Sequence, residues 1–199
     1  MDKRDVALLS SCSTLPVPRF SKLDAMDEAG ERLLVASNGI FLEILRKWGH
    51  FIRRVGDFTQ QITVPYGNLQ EVTSLFLPFP RDEIAAFDAL ARDNCHTEIA
   101  ASIFWNEKTG TFRMVPAQTI NASGSHIRYE RSLALDGEHL VFDCHSHGRY
   151  SAFFSKTDNL DDRSEVKIAY VVGNCDQPQQ TRQYRLCLRG IFNPIKEKA

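Results

Sequence analysis

His145 and His147, separated only by Ser146, are the residues of this chain best suited to chemistry. Residues i and i+2 of a strand face the same way, so two imidazoles at a strand end can converge on one point. Neutral imidazole is the commonest ligand of catalytic zinc, which takes three protein ligands and keeps a fourth position open. The third ligand must come from elsewhere, and Asp158, at the end of a ten-residue loop after His147, can fold back to supply it. A zinc site lowers the pKa of a water to about 7, and a carboxylate nearby completes its activation. Glu98 is the candidate for that general base, because it opens another expected strand and is followed by the small residues Ala100 and Ala101. Ser155, on the same loop as Asp158, can offer a hydroxyl to a developing oxyanion. The chemistry these residues suit is metal-assisted hydrolysis of an amide.

Other groups are weaker candidates. Glu107 falls in an expected turn, and Glu130 and Glu138 fall in or beside polar, exposed-looking segments. Asp143 shares strand parity with His145 and could orient its ring. Cys144, of opposite parity, reads as a small core residue. His50, His96, His126 and His139 read as surface or structural residues, with His96 kept as a rim candidate because it is close to Glu98. Phe153 and Phe154 fit either packing or the wall of a substrate groove. Ser155-x-x-Asp158 is also a helix-start pattern, serine as N-cap with an acid in the first turn, and this is compatible with a ligand role.

The elements that must hold these residues follow from the hydrophobic pattern. Residues 139–145 (HLVFDCH) read as a strand leading straight into the histidines, and 98–106 (EIAASIFWN) as a second. The turn EKTG joins the latter to a return strand, TFRMVPAQ, and a polar segment, NASGSHIRYERS, follows. After Asp158 come a short acidic helix, a buried strand VKIAYVVG and a last strand YRLCLRGIF. Upstream, Pro80 followed by Asp82 and Glu83 marks a helix start, and Ile84, Phe87, Leu90 and Ala91 form one apolar stripe. The N-terminal third reads as β-rich. Asn38-Gly39 between apolar runs signals a hairpin, HFIRRV and QITVPYG suggest further strands, and the first twenty residues read as a loosely held lead-in. The expected organisation is a β-rich N-terminal domain, 1–76, and an α/β (α+β) domain, 77–199, a mixed sheet flanked by helices.

Bulk properties narrow the classes. The 199 residues carry a net charge of −1, with 43% apolar and 25% charged residues, so no strong field points to nucleic acid or an anionic membrane. The basic run RQYRLCLRG reads as an exposed strand face. Five cysteines without a C-x-x-C pair argue against a disulfide framework or a cysteine zinc ribbon. No stretch approaches a membrane span, and the apolar run Val6–Leu9 is short for a signal peptide, so a cytoplasmic location is expected.

The pattern Glu98 … His145-Ser146-His147-x7-Ser155-x-x-Asp158 resembles the JAMM motif of the JAB/MPN metallopeptidases, over roughly residues 77–199. The resemblance implies a fold like that of JAMM and cytidine-deaminase domains, zinc held by His145, His147 and Asp158, Glu98 as general base and Ser155 steadying the tetrahedral intermediate. It also implies cleavage after the C-terminal tail of a ubiquitin-like β-grasp protein. The run from His145 to Asn174 is similar to the JAMM members of the bacterial PRTRC gene cassette, which implies a ThiF/E1-like adenylating enzyme as a further partner. Phe154 departs from the family pattern, where many members have proline before the serine. Rival metal folds fit poorly. Amidohydrolase and PHP barrels place H-x-H near their start, whereas only 52 residues follow His147, and Tyr150 stands where a metallo-β-lactamase needs histidine. The alternative from a different class is a catalytically silent JAMM adaptor that binds a ubiquitin-like or E1-like partner.

Overall fold

The computed structural model describes residues 1–60, 62–122, 127–130 and 132–196. The chain divides between Pro78 and Phe79 into two compact units.

The first unit contains α1 (Lys3–Ser11), β1 (Cys12–Pro16), β2 (Gly30–Ala36), β3 (Gly39–Arg46), β4 (Gly49–Gly56) and β5 (Val72–Leu75). The strands form one sheet in the order β1-β2-β3-β4-β5, with β1 parallel to β2 and the rest antiparallel. The lead-in is therefore more ordered than its prolines suggest. Asp2 caps α1 by accepting from the Arg4 amide, and β1 lies at a sheet edge, where Pro16 costs no ladder donor. The hairpin turn falls one residue earlier than expected, at Ser37-Asn38, and Gly39 opens the return strand with φ +137°. A Cβ on Gly39 would stand 2.7 Å from the Gly56 carbonyl oxygen. Asn38 instead pairs its side-chain amide with the backbone of Leu69, at 2.8 and 3.0 Å. Of the expected strand QITVPYG, the described residues 62–67 do not form a strand. Gly67 there exchanges backbone hydrogen bonds with Val17 and Ser37. Val17, Leu34, Ala36, Phe41 and Ile52 make a core for this unit.

The second unit contains α2 (Arg81–Asp93), β6 (Ala100–Asn106), β7 (Phe112–Pro116), β8 (Gln118–Ala122), β9 (Ile127–Glu130), β10 (Glu138–Ser146), α3 (Lys156–Asp162), β11 (Val166–Gly173), β12 (Thr181–Leu188) and β13 (Ile191–Ile195). A six-stranded mixed sheet runs β13-β12-β11-β10-β6-β7, with β10 and β11 parallel, and β8 and β9 form a separate pair. The polar segment expected after the first hairpin thus contributes to strands, and the expected last strand is a hairpin, β12 and β13, bent at Arg189-Gly190. The architecture is α+β, as the alternation of elements indicated.

Period-two alternation along the strands assigns the two helices to opposite faces. Tyr170 of β11 meets Phe87 and Asp88 of α2, whereas Lys167, three residues away and of opposite parity, meets Asp162 of α3. On α2 the stripe residues Ile84, Phe87 and Ala91 are buried, as their spacing predicts. His145 has the same parity as Asp143, which faces Lys167, so it shares the α3 face.

Candidate metal centre

Strand β10 ends at Ser146, and its last residues build the site. The Ser146 amide donates to the Ile99 carbonyl, and its hydroxyl accepts from the Ile99 amide at 3.0 Å. This holds the segment carrying Glu98 alongside the histidines. Glu98 stands two residues before β6 rather than opening it. Directly across from His145 in the sheet is Ala100, whose small side chain leaves space beside the ring. His147, just past the strand, is held by its amide donating to Val172.

The chain then turns sharply. Gly148 has φ +52°, and a Cβ there would lie 2.8 Å from the Cys95 carbonyl oxygen, so glycine is required both by conformation and by space. Gly173 is crossed by the returning loop, with Tyr150 O and Ala152 N each 2.3 Å from where a Cβ would be. The loop reaches Ser155, which N-caps α3 in a capping box. The Ser155 hydroxyl accepts from the Asp158 amide at 3.1 Å, and the Ser155 amide donates to Asp158 Oδ2 at 2.6 Å. The other oxygen, Oδ1, faces His145 Nε2 at 3.7 Å. One carboxylate thus caps the helix and turns toward the histidines at once, which reconciles the two readings of Ser155-x-x-Asp158.

The candidate ligand atoms of His145, His147 and Asp158 all lie within 4.8 Å of one another. The two Nε2 atoms are 3.2 Å apart. Two nitrogens bound to one tetrahedral zinc at about 2.0–2.1 Å would be roughly 3.3 Å apart. Nδ1 of His147 stands 3.2 Å from the Ser151 carbonyl oxygen. A proton on Nδ1 donates to that carbonyl and leaves the Nε2 lone pair for a metal. Burial lowers the pKa of both histidines, favouring the neutral, ligating form. Burial tends to raise Asp158, but His145 and the hydrogen bonds from Ser155 outweigh it and hold the carboxyl below its usual range. The donor set, spacing and protonation fit a divalent metal. Phe153 closes one side by stacking edge-on against His147, with centroids 4.5 Å apart, while remaining 48% exposed.

Glu98 is only 7% exposed. Its carboxyl is pushed up to about 7, first by burial and then by the negative charge of Asp158. Glu98 is therefore within electrostatic reach of the histidine–aspartate cluster and poised to exchange protons near neutrality.

The other candidates sort differently. Asp143 binds the buried Lys167 Nζ at 2.5 Å. Glu138, expected to be exposed, has a side chain only 4% exposed and pairs through both oxygens with Arg113, which holds it well below the usual carboxylate range. Glu107 lies 3.5 Å from His139, and His50 pairs with Glu43 in the first unit. His96 is exposed, and Cys144 is fully buried, as a core residue would be. His126 and the Glu130 side chain lie outside the described residues. The basic run near the C-terminus is not simply an exposed face. Arg185 is buried against Asp162, and Arg182 pairs with Asp88. Two residues missed by the sequence reading, Lys167 and Arg185, anchor α3. The sequence signal for Lys167 is a cation inside an otherwise apolar strand, whereas Arg185 lies in the basic run that reads as an exposed strand face.

A second acidic cluster, Asp143, Asp162 and Glu165, also has metal-like spacing. Lys167 Nζ occupies its centre, at 2.5, 2.7 and 2.5 Å from the three carboxylates. Here the protein supplies its own cation.

The family described as prokaryotic homologs of the JAB domain matches residues 80–187. The chain belongs to that family. The matched span contains Glu98 and the whole histidine–aspartate cluster of the JAB domain. A domain of unknown function, DUF2016, matches residues 2–76 ahead of it. The solution structure of protein DSY2949 from Desulfitobacterium hafniense is similar at 13% identity and a TM-score of 0.45, covering 58% of this chain and 87% of that one. No curated protein matches the chain. The JAB family includes metallopeptidases and often binds zinc. Among the described residues no helix is long and apolar enough to cross a membrane.

Proposed function

We propose that this JAB domain is a zinc-dependent isopeptidase or peptidase that hydrolyses the bond after the C-terminal tail of a ubiquitin-like β-grasp protein. The observation that carries the reading is the convergence of His145, His147 and Asp158 within 4.8 Å, with a buried carboxyl at Glu98 raised to about 7. His145, His147 and Asp158 would hold the zinc. A bound zinc supplies Lewis acidity, polarising a scissile carbonyl and lowering the pKa of water.

The chain's own residues do the rest. Glu98 takes a proton from the attacking water and returns it to the departing nitrogen, a cycle suited to a carboxyl that titrates near neutrality. Ser155 offers its hydroxyl hydrogen to the developing oxyanion, while its oxygen stays committed to the Asp158 amide. The Phe153 ring beside His147 limits water at one side of the cluster. A diglycine tail suits such a site because its lack of side chains lets the backbone come close.

The sequence resemblance to protein A of the PRTRC system supports a bacterial, cytoplasmic setting and a ThiF/E1-like enzyme as a second partner. The test is incubation with ubiquitin-like fusions, with and without a chelator. Release of the tail that stops with chelator and returns with zinc is expected. A folded protein that binds no zinc would instead identify a silent adaptor.

A further inference from the structure

Helix α3 spans only Lys156–Asp162, and Asp162 is its one buried residue. So short a helix is not stable alone, and here it has no apolar face to bury. Polar contacts must hold it, and two of them come from Arg185 of β12. Arg185 donates through one arm to Asn159 Oδ1 at 2.5 Å and through the other to Asp162 Oδ2 at 2.6 Å. Its guanidinium lies 3.9 Å from the Phe154 ring centroid and 4.2 Å from that of Phe192. Phe154 is the residue before Ser155, and Asn159 is the residue after Asp158. One guanidinium therefore grips both flanks of the turn that carries the third candidate ligand. Arg185 is also tied to the histidine strand, because Asp143 of β10 is in register with Ala169 of β11, which is in register with Arg185.

We propose that Arg185 is a positioning residue: by spanning Phe154, Asn159 and Asp162 it fixes the Ser155–Asp158 turn relative to His145 and His147. The proposal rests on the reading that His145, His147 and Asp158 hold zinc. A planar, forked cation is required, since lysine has neither a face for Phe154 nor two arms for Asn159 and Asp162.

The test is zinc affinity by chelator competition, on full-length protein well below its melting temperature, with Asp158→Ala as reference. Arg185→Met leaves Asp162 paired with Lys167, so the fold has a remaining anchor. The expected result is zinc bound tenfold or more weakly, in the range typical when support for a metal ligand is removed. Arg185→Lys, which keeps the charge, is expected to remain weakened. Wild-type affinity in folded Arg185→Met, or full recovery in Arg185→Lys, overturns the proposal, since a role in stability alone would lower the melting temperature and spare zinc binding. If Arg185→Met does not fold, Phe154→Leu combined with Asn159→Ala removes the grip while keeping the Asp162 pair, and the same criterion applies. Unchanged zinc binding in Asp158→Ala would sink the metal reading itself, and this proposal with it.

Discussion

Replacing Glu98 by glutamine is expected to change how the metal-free protein's stability depends on pH. In the folded protein the carboxyl is raised from 4.5 to about 7, by burial and by the charge of Asp158. A carboxyl raised on folding binds more protons in the native state than in the unfolded chain. Its contribution is therefore fully present below about pH 4.5 and is lost as pH rises toward 7, where the native state must hold an ionised, buried group. Glutamine has nearly the same shape and no such dependence. The stability of Glu98→Gln minus that of wild type should then rise by about 2.5 kcal/mol between pH 5 and pH 8, at 1.36 kcal/mol per pKa unit. Any fixed difference between the two side chains drops out of that change.

The assay is urea unfolding in chelator at both pH values. Trp48 and Trp105 are the two tryptophans, one in each unit, so a Trp48→Phe background lets Trp105 of β6 report the JAB domain alone. Zinc places positive charge at the cluster, offsets the Asp158 contribution and is expected to shrink the pH-dependent difference. A difference that stays flat between pH 5 and pH 8 in chelator would refute the claim that Glu98 is held protonated by its surroundings, and with it the electrostatic case for Glu98 as base.

Four further outcomes follow from the site. Metal analysis should find about one zinc per chain, lost in Asp158→Ala, because the second acidic cluster already holds Lys167; two zinc ions per chain would contradict that assignment. Glu98→Gln should retain zinc while cleavage of a ubiquitin-like fusion falls by about 10²–10⁴-fold, as for loss of a general base, and retained cleavage would remove Glu98 from the mechanism. Ser155→Ala removes the acceptor for the Asp158 amide and should destabilise the protein by about 1 kcal/mol in thermal or urea unfolding. The same variant should slow cleavage by about 10²-fold, and an unchanged rate would leave Ser155 only its cap.

The candidate site was legible in the sequence because its parts are local or follow a simple period. His145 and His147 are two apart at the end of an apolar run, and Ser155 and Asp158 form a helix start visible from spacing alone. The α2 stripe and the main strands of the second unit follow from periodicity in the same way. What the sequence could not decide was set by contacts between distant segments. The first twenty residues, with Pro16 and Pro18, looked loosely held, yet β1 within them pairs with β2 across a long loop. Residues 62–67 looked like a strand by composition, but the Gly67 backbone is taken by Val17 and Ser37. Glu138 and Arg185 looked exposed because charge usually is, yet Glu138 is half-buried and Arg185 buried, each against an opposite charge: Arg113 from β7 and Asp162 from α3.

The sequence by itself determined which atoms could bind a metal, since ligand chemistry resides in residue type and short spacing. Only the tertiary structure decided that Asp158 presents Oδ1 to His145 while Oδ2 caps its own helix, and that Glu98 is buried enough to titrate near 7. It also decided that the second acidic triad is filled by Lys167. The physical reason is common to all three: the orientation and desolvation of a charged group depend on what packs around it, and a deciding neighbour comes from another element of the fold, His145 for Asp158, Asp158 for Glu98 and Asp143 for Lys167.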